Sequence, residues 1–548
     1  MKRDIILLYI LMFVFFQSCR DKQQHADLVI HNAKVYTVND DFSIAESFAI
    51  KDGFFIEVGT DEEILNKYSA NKFIDLDGMA VYPGFIDAHC HFYYYGLGLQ
   101  RNVDLVGTKS FKDVIELLKE HHKKYPSEWI EGRGWDQNDW DVKEFPDKEA
   151  LDENFPDNPV YITRIDGHAA LVNSLAIKKA GIDNSTVVEG GVFKVLNNEL
   201  TGILIDNAME LVRDIIPKST RNEKIKGLVD AQENCFSVGL TSIADAGLET
   251  DVIRLIDSLQ NDATLNIRIY AMLDTDNDGY KEFMNGGIYK TDKLNVRSVK
   301  LYADGALGSR GARLIEAYSD DTTNYGLIIK DPSFYKEVCN MAFEKGYQVN
   351  THAIGDSGVR MMLRIYGDVL EDTNDLRWRI EHAQVVHPDD ILFFKTYSII
   401  PSVQATHATS DMYWADERLG EKRLKWAYAY KSLLEQNDWL PNGTDFPIEN
   451  INPVYTFYAA VFRKDLNGYP EEGFNPENAL SREEALRSIT IWAAKAAFEE
   501  NEKGSIEKGK FADFVVLDND LMEIAEADIP EIKVKKTFLS GEKVFQRK

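Results

Sequence analysis

The chain has 548 residues, 44% hydrophobic and 28% charged, with a formal net charge of -28 at pH 7. That composition is globular rather than disordered, and the length holds one large domain with appendages or a few smaller ones. The acidity repels phosphate backbones and excludes nucleic acid as a partner, and the four cysteines, which show no CxxC spacing, exclude a disulfide framework.

First in chain order comes a leader, MKRD followed by IILLYILMFVFF, an apolar run of twelve residues ending at Gln17, Ser18 and Cys19. Twelve falls short of the roughly 20 apolar residues that span a bilayer. A basic start, a short apolar stretch and small Ser18 describe a cleaved export signal. Ending on Cys19, residues 1–19 resemble a bacterial lipoprotein signal, from which Asp4, Phe16 and Gln17 depart. This reading expects an exported, cell-envelope protein that meets the membrane only through a lipid on Cys19. Plain secretion, or a leftover buried segment, is the alternative.

Next, ADLVIHNAKVYTV, SFAIKDGFFIEVG and KFIDLDGMAVYPG read as short alternating strands broken by ND and DG turns. The far end returns to that style in GSIEKGKFADFVVLD and KVKKTFLSGEKVF. One small β-sandwich built from both termini, residues 26–82 and 501–548, accounts for both. Between them PGFIDAHCH, TSIADAG, NIRIYAML, RSVKLYADG, YQVNTHAIGD, RWRIEHAQ, IIPSVQA and DWLPNGTDFP alternate with helical stretches. Eight strands, each with room for a helix, give an α/β fold, a (β/α)8 TIM barrel over residues 83–500. The first two strands are separated by about 140 residues, so an insertion with structure of its own covers roughly 95–225. Within it VIELLKEHHKKYPSEW reads as an amphipathic helix whose His121 and His122 are solvated surface residues.

In PGFIDAHCH, strand alternation points His89 and His91 one way and Cys90 the other. Two imidazoles converging on one point suit a metal ion, provided further ligands arrive from elsewhere. Functional groups of such barrels gather at the C-terminal ends of the strands. There the chain places Lys300 in the fourth, His352 at the end of the fifth, His382 of the sixth and Asp445 of the eighth. Singly, His352 could be a capped core histidine and Asp445 a turn residue; jointly they point to metal. An ammonium group among cations would be repelled, so Lys300 fits only as a neutral amine or after conversion to an anion.

With PGFIDAHCH belong GWDQNDW (134–140), RIDGHAALVN (164–173), TGILIDNA (201–208), VKLYADGALGSRGA (299–312), NTHAIGD (350–356), RIEHAQ (379–384), DMYWADERLGEKR (411–423), NGTDFPIENINP (442–453) and KGKFADFVVLD (508–518). From about residue 26 onward this series resembles the amidohydrolase superfamily, family 3, in the branch that includes N-substituted formamide deformylase and YtcJ-like proteins. The resemblance implies one divalent ion on His89, His91 and Asp445 and a second on His352 and His382. Lys300, carboxylated by CO2 to a carbamate, would bridge them. Zn²⁺ is expected, with Mn²⁺ or Fe²⁺ accepted by the same donors. A water shared by the ions would become a nucleophile, and Asp445 would be catalytic, taking its proton and passing it to the departing nitrogen. Implied substrate contacts are Trp135, Asp136, Asp166 and His168 in the insertion, and Arg310, Gln404 and His407 beyond strands four and seven. Ala405 stands where the branch usually carries proline, which leaves the inherited role of His407 open. The expected activity is hydrolysis of a C–N bond in an amide, formamide or cyclic imide of a small molecule. A lactone or dipeptide cleaved at the same site, or a binding lipoprotein that keeps the barrel without turnover, are the alternatives. Relatives of this kind often pair, so a homodimer is also expected.

Overall fold

The computed structural model describes residues 23–548, so the apolar leader and Cys19 lie outside the described residues. Among the described residues no helix is long and apolar enough to cross a membrane.

Two sheets form the sandwich. One is four-stranded and wholly N-terminal, with Gln24–His31 between Ser47–Lys51 and Tyr68–Asp75. The other is six-stranded and joins the two ends of the chain, because Phe514–Leu517 pairs antiparallel with Ala80–Pro83. Apolar residues alternate inward along these strands, so Leu28, Ile30, Phe48 and Phe55 meet Val81, Phe514, Val516 and Phe538 in one core.

The barrel runs through seven parallel strands, Phe85–Cys90, Leu240–Leu248, Arg268–Leu273, Leu294–Tyr302, Gln348–Ala353, Arg379–His382 and Ile400–Ser402. All their residues except Arg297 and Tyr302 are buried, polar ones included, because both faces are covered. The helices between them follow ordinary end signals. Pro332–Lys345, for example, starts on an Asp331 cap with Pro332 at its first turn and stops at left-handed Gly346.

The eighth segment stands where the (β/α)8 barrel expects it, between the seventh strand and the first, but its pairing is short. Val403 N–H donates to Pro441 O (3.0 Å), Gly443 N–H to Val403 O (3.0 Å) and Ala88 N–H to Asn442 O (3.4 Å), and the pairing goes no further than the Val403–Asn442 bridge. Pro441 has no N–H to extend the ladder. The segment instead lies against the end of the first strand, where Asp445 N–H donates to His89 O (2.8 Å) and His91 N–H to Phe446 O (2.8 Å). Glycine is required for that approach: a Cβ on Gly443 would stand 2.5 Å from the His89 nitrogen.

Between the first and second barrel strands, helices Phe92–Arg101 and Arg221–Ser237 pack against each other through Gly96 and Gly227. The segment between these helices folds on a separate six-stranded sheet with apolar clusters on both faces, one around Trp135, Leu118 and Ile162 and one around Leu204, Ala176 and Met209. The expected amphipathic helix is Phe111–Lys124, its Val114, Ile115 and Leu118 facing that sheet.

Candidate metal centre

At the C-terminal mouth of the barrel lies a cavity of about 790 Å³ whose wall includes His91, His352, His382, His407 and Asp445. Nitrogen or oxygen atoms of His89, His91 and Asp445 come within 4.8 Å of one another, and so do those of His382, His407 and Asp445. His352 adjoins this set, its ring centroid 4.6 Å from that of His382. Lys300 Nζ lies 3.1 Å from His89 Nε2. The structure therefore gathers all six expected ligands and adds His407, which the sequence reading assigned to substrate.

Each imidazole is aimed from behind. Nδ1–H of His89 donates to Glu381 Oε2 (2.6 Å), that of His91 to Ala246 O (3.1 Å) and that of His382 to Gln404 Oε1 (2.7 Å). Glu381 is itself buried and paired with Arg379 (2.5 Å), which also donates to Ala88 O (2.7 Å). Fixing one ring nitrogen as donor leaves the Nε2 lone pair of the neutral ring facing the centre. His382 and Asp445 do not follow strand alternation. Their backbones are left-handed (φ 72° and 61°), strained for residues with a Cβ, and this turns both side chains into the mouth.

The donor set fits a divalent cation. Asp445 Oδ1 is buried without a hydrogen-bond partner, 3.2 Å from His91 Nε2 and 3.6 Å from His89 Nε2. With the ring protons held on Nδ1, three lone pairs converge with no proton between them, and a cation resolves that repulsion. Burial lowers His89 to about 4, which keeps it a neutral donor. Burial likewise lowers Lys300 to about 8. Among the described residues no carboxylate lies within ion-pair distance of Lys300. Asp304, four residues further on, is taken up by the N–H groups of Ile354 (3.0 Å), Gly355 (2.8 Å) and Arg313 (2.8 Å). Burial acts to lower His407, but Asp445 (3.2 Å) and Glu449 (3.0 Å) on either side raise it to about 10. Burial acts to raise Asp445, yet its bond to His407 and the surrounding imidazoles hold it well below the usual carboxylate range.

Of the expected substrate contacts, Asp136, Asp166, His168 and His407 line the cavity. His168 Nδ1–H donates to buried Asp206 (2.6 Å) and its ring lies 4.9 Å from that of His352. Ala405 has an N–H that proline would lack, and donates it to Asn442 Oδ1 (3.1 Å), fixing the start of the helix Ala405–Asp411 that carries His407.

Three expected contacts are corrected. Trp135 is fully buried in the core of the inserted sheet, its Nε1–H donating to Ile162 O (3.0 Å). A bulge at Gly134 (φ 108°) rotates it onto the face of Ile130 and Gly132, leaving Arg133 on the cavity side. Arg310 turns to Asp320 (2.8 Å) and forms no part of the cavity wall. Gln404 is fully buried behind His382, so it orients a ligand and does not touch the cavity. Cys90 points away from the histidines into the core, as alternation requires, and burial pushes its thiol far up.

Sequence reasoning missed Glu381, Arg379, Arg164 and Asp206. The signal for the first two was present in RIEH, where two charged residues at alternate positions of an otherwise buried strand have to face the barrel interior. Arg164 is buried between Asp136 and Asp166, bonded to both.

Residues 72–545 match the sequence pattern of the amidohydrolase family. The chain is 32% identical to Protein LONG AFTER FAR-RED 3 of Arabidopsis thaliana, over 95% of this chain and 92% of that one. It is 30% identical to the putative amidohydrolase YtcJ of Bacillus subtilis (94% and 99%) and 24% identical to N-substituted formamide deformylase of Arthrobacter pascens (96% and 99%). Among solved structures, an uncharacterized metal-dependent hydrolase of Pyrococcus horikoshii OT3 superposes with a TM-score of 0.74 at 28% identity, covering 91% of this chain and 99% of that one.

Proposed function

The chain belongs to the amidohydrolase family and is a metal-dependent hydrolase, and on that premise we propose that it cleaves a C–N bond of a small amide, formamide or cyclic imide. The observation that carries the reading is the buried, unpartnered Asp445 Oδ1 facing the lone-pair nitrogens of His89 and His91. A divalent ion held there supplies an acidified water and a polarised carbonyl. His89, His91 and Asp445 would hold one ion and His352 with His382 a second; Lys300, if carboxylated, would add an anionic ligand, and Zn²⁺ is the first candidate.

The chain's own residues do the rest. Asp445 is the proton carrier: one oxygen is turned to the ligand nitrogens and the other is fixed by His407 Nε2–H, so its free lone pair is held in one direction. Glu381 and Gln404 keep His89 and His382 from rotating. His168, tied to Asp206, presents its remaining nitrogen to the cavity beside His352 and is placed to hydrogen-bond a bound substrate. Tyr94, Leu99 and Val106 give the cavity an apolar side. The family name and the deformylase relative support nitrogen rather than oxygen in the cleaved bond.

The test is hydrolysis of a panel of N-formyl, N-acyl, cyclic imide, lactone and dipeptide substrates by protein freed of metal and then reloaded with Zn²⁺, Mn²⁺ or Fe²⁺. Metal-dependent release of amine from the N-formyl and N-acyl compounds, or ring opening of the cyclic imide to its half-amide, is expected. Turnover confined to lactones or dipeptides would overturn the choice of bond.

A further inference from the structure

Arg133 sits on the cavity side of the inserted sheet with its charge unmatched. The other arginine and the lysine of the wall are both neutralised: Arg164 lies between Asp136 and Asp166, and Lys464 bonds Glu526 (2.7 Å). Arg133 spends one Nη2–H on the carbonyl of Ile165 (2.8 Å), and its Nε is buried with no partner at all. No carboxylate lies within ion-pair distance of it among the described residues. Asp166, next to the Ile165 carbonyl that Arg133 holds, is engaged at both oxygens, one accepting from Arg164 and the other from His168 N–H (3.1 Å). In a protein of net charge -28, whose cavity wall also carries Asp104, Asp139, Asp411 and Asp465, leaving this guanidinium unpaired does not follow from any shortage of acids.

Placement of Arg133 depends on the bulge at Gly134. Unbulged alternation would put Trp135 on the same face, over the cavity; the extra residue sends the indole into the core and leaves Arg133 exposed to the site. Gly167 on the loop opposite approaches it closely without crowding it, since a Cβ added there would stand 3.6 Å from Arg133 Nη1, in ordinary contact. A buried fork of N–H donors with an unused member is built to take a planar anion in two parallel bonds.

We propose that Arg133 is the specificity-determining residue of this site and that it binds a carboxylate on the substrate, so that the substrates are N-acyl or N-formyl compounds carrying a carboxylate apart from the cleaved bond. The proposal deepens the C–N reading and rests on it for the class of compound, whereas recognition of the anion is read separately from turnover.

The probes are racemic N-formylphenylalanine and its neutral primary amide, titrated calorimetrically into the metal-loaded full chain and assayed in parallel for formate release. Wild type is expected to bind the acid at least about tenfold more tightly than the amide, as one charge-assisted hydrogen bond requires. Because a carboxylate can also contact metal, the deciding comparison is Arg133→Met, in which that preference should vanish. Arg133→Lys, which keeps the charge but not the fork, should retain part of it. Circular dichroism checks folding, and Arg133→Gln takes the place of Arg133→Met if the latter unfolds. Equal affinities in wild type, a preference that survives loss of the guanidinium, or no measurable binding of the acid would each overturn the proposal. Binding that follows the expected pattern without hydrolysis of either probe would remove the C–N reading and leave the anion site standing.

Discussion

At the barrel mouth, His89, His91 and His382 are each held from behind, by Glu381, the carbonyl of Ala246 and Gln404, and the donors converge within a few ångströms. Across the cavity, the inserted sheet holds Arg164 between two acids but leaves Arg133 with an unmatched charge. The rim is organised for one fixed geometry, which is what ligands of a catalytic ion need. The insertion carries loops and a bulge over the mouth, where changes alter what enters without disturbing the barrel. Chemistry and selection thus fall on different parts of the chain.

The sharpest way to break the rim is Asp445→Asn, which removes a ligand charge and the proton acceptor together. It should lower kcat about 1,000-fold or more, measured on whichever panel substrate is turned over. On the insertion side, Arg164→Met strands two carboxylates around a buried gap and should cost about 3 kcal/mol of stability in denaturant melts, with metal content unchanged. Glu381→Gln keeps the shape but weakens the support of His89. A loss of about 10–100-fold in metal affinity is expected from competition with a chelating dye.

A separate effect, spread over pH and therefore small at any one step, concerns the barrel wall. Burial raises Asp245 to about 7, although it accepts Tyr93 N–H (3.0 Å), and an unfolded aspartate titrates near 3.9. A raised carboxylate favours the folded state below the unfolded pKa and loses that contribution as pH rises through about 7. Relative to wild type, Asp245→Asn should therefore gain stability between about pH 4 and 7, by at most about 1.4 kcal/mol per pH unit, and the difference should level off above. Thermal melts across that range check it.

The two regions also differ in how far their sequences could be read. HxH at a strand end follows from alternation, and His352, His382, Lys300 and Asp445 from their places near the ends of other barrel strands, so the gathering of these side chains at one mouth was legible. Glu381 went unread because it lies behind a ligand, and nothing local in RIEH says which strand it reaches across to. The eighth strand lies where it was expected, but Pro441, whose missing N–H shortens the ladder to a bridge, leaves it the least regular of the set. In the insertion the one-residue bulge at Gly134 moved Trp135 to the face opposite Arg133, and a glycine in a strand signals that event without giving its outcome. Arg310 and Gln404 were misplaced for a related reason: loop and strand-end residues take their direction from partners distant in sequence, Asp320 excepted, and not from a period.

Metal content is the most direct test of the centre. Full-length protein purified without chelator and analysed by inductively coupled plasma mass spectrometry should carry one to two equivalents of a divalent transition ion, lost in His89→Ala and Asp445→Ala variants that remain folded. Protein that binds no divalent ion even at saturating Zn²⁺, or that hydrolyses its substrate equally well after exhaustive chelation, would contradict it.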